Sequence, residues 1–148
     1  MLLGICSACK KSDNSIIKAF TDNRVALTRI AELAREDGAK ELLHEFIFQT
    51  SHRSEHPKIS EEHWGEYQRL LSQIGAIGVA ASDHRVALRM QYIGEFDKGL
   101  VFTLEPPSPL LLSLDGFAPS EMCRTTDHGD YLGYRQIEGN WYIYAHYF

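Results

Sequence analysis

The last eighteen residues constrain the fold most. Tyr131-Leu132-Gly133-Tyr134-Arg135-Gln136-Ile137 and Trp141-Tyr142-Ile143-Tyr144-Ala145-His146-Tyr147-Phe148 are rich in aromatic and β-branched residues and are separated by Glu138-Gly139-Asn140. Two such runs around a short polar loop containing glycine predict a β-hairpin. In the second run Trp141, Ile143, Ala145 and Tyr147 fall on one face, and Tyr142, Tyr144, His146 and Phe148 on the other. A strand with two apolar faces needs cover on both sides, so it is expected in the interior of a sheet.

The preceding strands follow by pattern. Arg85 to Ile93 alternates, with Val86, Leu88, Met90 and Tyr92 on one side. After a turn at Gly94 to Gly99, a strand from Leu100 to Glu105 is expected to turn Leu100, Phe102 and Leu104 inward. Pro106-Pro107-Ser108-Pro109 interrupts the ladder because proline has no N–H to donate. Leu110-Leu111-Leu112-Ser113-Leu114 reads as a covered strand ending at Asp115-Gly116. Phe117 to Asp130 is irregular and polar, a long loop and therefore a candidate functional surface.

The first half is helical. Ile16, Phe20, Leu27, Ile30, Ala31 and Ala34 share one face of a helix from Ser15 to Asp37. Asp13 or Asn14 is the expected N-cap and Gly38 the expected left-handed residue after the end, with Thr21-Asp22-Asn23 a place to bend or restart. Leu42 to Phe48 fits either a second helix or, at Phe46-Ile47-Phe48, a short strand. A further helix runs from Ser60, its N-cap, to Gly75. Glu61 and Glu62 complement its dipole, Trp64, Tyr67, Leu71 and Ile74 form its buried stripe, and Ile59 and Trp64 form a hydrophobic staple. Gly65 inside it predicts close contact with another backbone. Helices followed by strands give an α+β fold: two or three N-terminal helices on an antiparallel sheet of about five strands ending in a C-terminal hairpin.

A chain of 148 residues is read as one domain over residues 15–148, after an N-terminal leader and tether over 1–14. A hydrophobic content of 44% argues against disorder, and a net charge of −5 without clustered Lys and Arg argues against nucleic-acid binding. Cys6, Cys9 and Cys123 make no disulfide framework, and Cys6-Ser7-Ala8-Cys9 has no second pair to complete a zinc site. No cofactor and no metal are expected. His52-Arg53-Ser54-Glu55-His56 matches an H-x-x-E-H zinc motif, yet Pro57 and polar flanks deny it the helix such a motif needs. Asp127-His128-Gly129-Asp130, near Cys123, has base and carboxylate groups but no nucleophile motif, and it is also ordinary turn composition. No catalytic residue is assigned. The candidate partner-binding residues are Tyr142, Tyr144 and His146 on the last strand, with Cys123, Asp127, His128 and Asp130 beside them.

Three resemblances complete the reading. A short apolar run, then Ser7-Ala8-Cys9, then Lys10-Lys11-Ser12-Asp13 resembles the end of a bacterial lipoprotein signal peptide. Cys6 replaces the usual Leu, and the basic and most of the apolar regions are absent. That likeness implies acylation at Cys9 and, with Lys10 following, a periplasmic protein anchored to the outer membrane. The alternative is a cytoplasmic protein with a frayed N-terminus. Lys98-Gly99-Leu100-Val101-Phe102, Pro109 to Asp115 and Tyr134-Arg135-Gln136-Ile137-Glu138-Gly139-Asn140-Trp141-Tyr142-Ile143-Tyr144 resemble small bacterial lipoprotein-like proteins of unknown function. Proteins of that size and place are often immunity proteins, so the resemblance implies a non-enzymatic, envelope-anchored protein that occludes a toxin effector. The alternative resemblance is to the NTF2-like fold, which would bind or convert a small ligand between sheet and helices.

Overall fold

The computed structural model describes residues 10–39, 46–82, 84–116, 123–124 and 130–148. The fold is α+β. Helices α1 (Asp13–Asp22), α2 (Arg24–Ala39) and α3 (Glu61–Ile74) pack on one face of a seven-stranded antiparallel sheet. Its strands are β1 (Ile47–Phe48), β2 (Gly78–Ala81), β3 (Arg85–Ile93), β4 (Phe96–Thr103), β5 (Cys123–Arg124), β6 (Tyr131–Glu138) and β7 (Trp141–Tyr147), in the order β1-β2-β3-β4-β7-β6-β5. The last strand is interior as its two apolar faces require, with β4 on one side and β6 on the other.

The helical face of the sheet is apolar along each central strand. Val86, Leu88, Leu100, Phe96, Ile143 and Ala145 meet Ile16, Phe20, Leu27, Ile30 and Ala34 in one core. The expected face of the first helical segment is buried throughout, but the segment is two helices. Asn23 leaves helical geometry at φ −125°, and its side-chain amide donates to the Ala19 carbonyl, so the chain restarts at Arg24. The first helix also begins earlier than expected. Ser12, not Asp13 or Asn14, is the N-cap, its Oγ accepting from the Ser15 amide. On α3 the expected signs hold. Ser60 Oγ accepts from the His63 amide, Gly75 is left-handed at φ 76°, Tyr67, Leu71 and Ile74 are buried and Trp64 packs beside them.

Several expectations are corrected. Leu110 to Leu114 is not a strand. The segment makes one isolated parallel bridge, Leu110 to Tyr134, and Leu112 stands 96% exposed. The turn after β3 is only Gly94-Glu95, so β4 starts at Phe96 and ends at Thr103, leaving Leu104 exposed. Tyr92 is exposed because a bulge between Arg89 and Gln91 turns it to the face opposite Leu88. Gly38 lies inside α2 rather than after it. Its role is proximity, since a Cβ there would stand 3.0 Å from both Ala81 Cβ and the Ser82 carbonyl. The small residues of β2, a strand the alternation did not reveal, let α2 approach this closely.

Gly65 contacts nothing, because a Cβ there would meet no atom within 4 Å. Gly99 is the opposite case. A Cβ at that position would lie 2.0 Å from the Leu88 carbonyl oxygen, which belongs to the neighbouring backbone and cannot swing away. Urea unfolding should therefore separate the two. Gly65→Ala is expected to stabilise by about 1 kcal/mol through helix propensity, whereas Gly99→Ala is expected to destabilise by about 3 kcal/mol through overpacking against β3.

Candidate functional site

The face of the sheet away from the helices carries the expected aromatic candidates, but not as an open surface. Tyr142 and Tyr144 are buried with Val101 and Tyr134 in a second, smaller cluster. Tyr144 donates its hydroxyl proton to Asp97 Oδ1 at 3.0 Å, and Arg89 donates to Asp97 Oδ2 at 2.9 Å. Burial, then the Asp97 charge, push the Tyr144 phenol well above its ordinary range. It is a fixed hydrogen-bond donor, not a base. The Arg89 guanidinium lies over Phe46 at 4.3 Å, Tyr92 at 4.6 Å and Phe48 at 5.6 Å, so a cation–π stack ties β3 to β1 and the residue before it. Arg85 donates to the Tyr134 hydroxyl and covers its ring.

This face meets solvent at its flank and in part along β3 and β6, where Arg85 and Ala87 are half-buried and Gln136 is exposed. Phe148 and Tyr92 are about half exposed and touch edge to face at 6.1 Å. His146 packs on Phe148 at 4.2 Å, with its Nε2 3.6 Å from Asp130 Oδ2. Of the candidates, the structure brings together His146 and Asp130. Cys9, Asp127 and His128 lie outside the described residues. Cys123 is placed as backbone only, pairing with Leu132 in the short strand β5. His52 to His56 forms a 3-10 turn in which the Glu55 carboxylate accepts from the His52 amide and His56 stacks on Trp64. Among the described residues no group of His, Cys, Asp or Glu side chains is placed to hold a metal ion.

The densest charge cluster was not among the candidates. Lys98 projects from β4 into the helical side between Phe96 and Leu100, and it is 1% exposed. Its ammonium lies 2.7 Å from Asp13 Oδ1, an ion pair not aligned as a hydrogen bond, and it donates to the Lys11 carbonyl at 3.0 Å. Asp115 Oδ1 is 3.3 Å away. Asp13, wholly buried at the first position of α1, accepts on Oδ2 from the Leu114 amide and from Arg135, each at 2.8 Å. Its own amide donates to Asp115 Oδ1 at 2.7 Å. Burial raises the Asp13 carboxyl, but the Leu114 amide, Lys98 and Arg135 together outweigh it and hold the group below its ordinary value. Beside the cluster opens a cavity of about 210 Å³ bounded by Lys10, Lys11, Phe96, Lys98 and Asp115.

A third cluster joins the helices. Tyr67 donates to Asp37 Oδ2 at 2.7 Å, and His63 Nδ1 lies 3.0 Å from the same oxygen. Burial and the neighbouring Asp37 raise the Tyr67 phenol far beyond its usual range, so it stays protonated as a donor. An acid orienting a histidine is half of a nucleophilic site. No described serine, threonine or cysteine hydroxyl or thiol is hydrogen-bonded to that imidazole, so the trio binds α2 to α3.

No family model, curated protein or solved structure matches the chain. The site must therefore be judged on its own geometry, in which the buried ionisable groups tie one element to another.

The Asp13 cluster makes a pH-dependent contribution with a definite sign. A carboxyl whose folded-state pKa is depressed adds stability that is complete above its ordinary value of 3.8 and disappears as the pH falls through the lower folded-state value. Asp13→Asn leaves Lys98 buried beside a neutral group and should cost about 3–5 kcal/mol at neutral pH. It should also flatten the acid limb of stability against pH, which denaturant titrations between neutral and strongly acidic pH will measure.

Proposed function

We propose that the chain is a non-enzymatic binding protein, held at the bacterial envelope by a lipid on Cys9, that occludes a protein partner of the toxin-effector class. The observation that carries the binding reading is the strap between β4 and β5. Leu110 and Leu112 are exposed, Leu112 almost completely, yet the strap is not loose. The Leu111 amide donates to the Tyr134 carbonyl at 2.7 Å and the Tyr134 amide to the Pro109 carbonyl at 3.0 Å. Exposed leucines on a backbone fixed to a sheet edge give a partner apolar area without an ordering penalty, which is how interface anchors gain affinity. The lipid-anchor half rests on the resemblance at Ser7-Ala8-Cys9, and the immunity half on the resemblance of the β4 and hairpin motifs. Occlusion needs no reacting group, in keeping with clusters whose charges are engaged in joining elements.

A second reading, the NTF2-like small-ligand domain, is favoured by the 210 Å³ cavity. Its lysines outnumber its single carboxylate, so the ligand would be a small anion.

The readings part on one experiment. The full chain is expressed in cells challenged by toxin effectors of rival bacteria, with growth and complex formation followed together. Protection with a stable complex, lost in Leu110→Asp/Leu112→Asp at unchanged thermal stability, is the expected result. Protection undiminished in that variant removes the strap as the contact. Absence of both protection and complex removes the binding-protein reading, and melting raised by small carboxylates or inorganic phosphate would favour the cavity.

A further inference from the structure

Lys10, the first described residue, sits at one edge of the sheet, and that edge has its own character. Lys10 is seated, not trailing. Its ammonium lies 4.6 Å over the Phe96 ring and 5.1 Å over the Tyr147 ring and donates to the Tyr147 hydroxyl. The next residue is fixed as well, the Lys11 amide donating to Gln91 Oε1 at 2.7 Å and its carbonyl accepting from Lys98. Any group attached at Cys9 is therefore one peptide unit, about 3.8 Å, from a residue docked on the fold. From Lys10 onward the described chain offers no flexible tether before the fold.

The edge where Lys10 docks is formed by the Gly94-Glu95 turn and the end of β7, closed by the Phe148 amide donating to the Glu95 carbonyl at 3.0 Å. Two aromatic side chains stand out from it, Tyr92 at 51% and Phe148 at 49% exposure. The charges nearby are mixed, Lys10 and Lys11 against Glu95 and Asp115, so the edge is an aromatic rim and not a basic patch. Aromatic rings at headgroup depth are the side-chain signature of a membrane–water interface, and rings at that depth add buried apolar area to a lipid anchor.

We infer that this edge rests on the bilayer, with Tyr92 and Phe148 in the headgroup layer and the sheet standing away from it. The inference deepens the lipid-anchor reading and rests on it. With no slack between lipid and fold, the anchored protein has one orientation. The opposite end of the sheet, where the Thr103 amide donates to the Asn140 carbonyl and Leu104 is exposed, stands a strand's length away, roughly 25 Å. The leucine strap bridges to Tyr134 on β6 at Leu110, three residues along β6 from Tyr131 at that edge, and returns to the Lys10 edge at Asp115.

The test uses the full chain purified from membranes and reconstituted in phosphatidylethanolamine vesicles with phosphatidylglycerol as minor component. Tryptophan is placed as Phe148→Trp or Leu104→Trp, the unsubstituted chain gives the background of Trp64 and Trp141, and quenching by lipids brominated high on the acyl chain is read. Intact mass is taken on the same material. An acylated mass with Phe148→Trp quenched several-fold more than Leu104→Trp is expected. An acylated mass with equal or reversed quenching overturns the orientation and leaves the anchor standing. An unmodified mass overturns the anchor and the orientation with it.

Discussion

The ion pair between Asp13 and Lys98 is the contact on which the rest of the architecture depends. A lysine ammonium taken out of water costs several kcal/mol unless it is paired and hydrogen-bonded. Here it is 1% exposed in the middle of the sheet, so its compensation decides where other segments can lie. Asp13, the Lys11 carbonyl and Asp115 supply that compensation, and Asp13 is itself satisfied by Arg135 and the Leu114 amide. Five segments thus converge on one site: the residues before α1, the first turn of α1, β4, β6 and the end of the strap. None can shift without exposing a buried charge.

That convergence assigns roles to the two faces. The helical face holds the apolar core, with the charge cluster at one end as its register mark. The central part of the opposite face is filled by Tyr134, Tyr142 and Tyr144, with the Tyr144 hydroxyl directed at Asp97 and the Tyr134 hydroxyl at Arg85. Among the described residues the apolar surface left to solvent includes the strap and the Tyr92–Phe148 edge at the margins of the sheet, besides Val25 on α2, Ile77 before β2 and Leu104 after β4. Both margins are held by backbone hydrogen bonds to the sheet, so each presents a fixed surface. Fixed margins around a closed interior are in keeping with the binding role proposed above.

Much of this was legible in the sequence, and the reasons are local. The position of β7 followed from two apolar faces that no edge strand could tolerate. Helix α3 followed from Ser60 and Gly75, whose roles depend on the backbone of their own turn. The bend at Thr21-Asp22-Asn23 followed from an asparagine able to bond its own preceding turn. The misses are places where distant contacts decided. Leu110 to Leu114 has the composition of a covered strand, but three prolines detach it, and only Leu111 and Leu114 reach the core, Leu114 alone being fully buried. The strand β2 is made of residues too small to show an alternation, because the constraint on them is the approach of α2 at Gly38. Gly65 answers to no contact at all.

The candidate site was legible only in part. Tyr142 and Tyr144 were placed on the correct face, but sequence does not show that Asp97, Arg89 and Tyr134 close it. Lys98 had a signal in hand. It falls at an inward position between Phe96 and Leu100, where a charge demands a partner, but a turn expected over Gly94 to Gly99 masked the alternation. Asp13 had none, since its partners lie more than 80 residues away along the chain.

Amide hydrogen exchange in the native full chain tests the central claim most directly. The amides of Lys11, Asp13 and Leu114, which donate to Gln91, Asp115 and Asp13, should be protected to the level of the β7 amides and exchange only with global unfolding. Exchange of these three at the rate of an exposed tail, while β7 remains protected, would show that the buried charge cluster does not hold the N-terminal segment to the sheet.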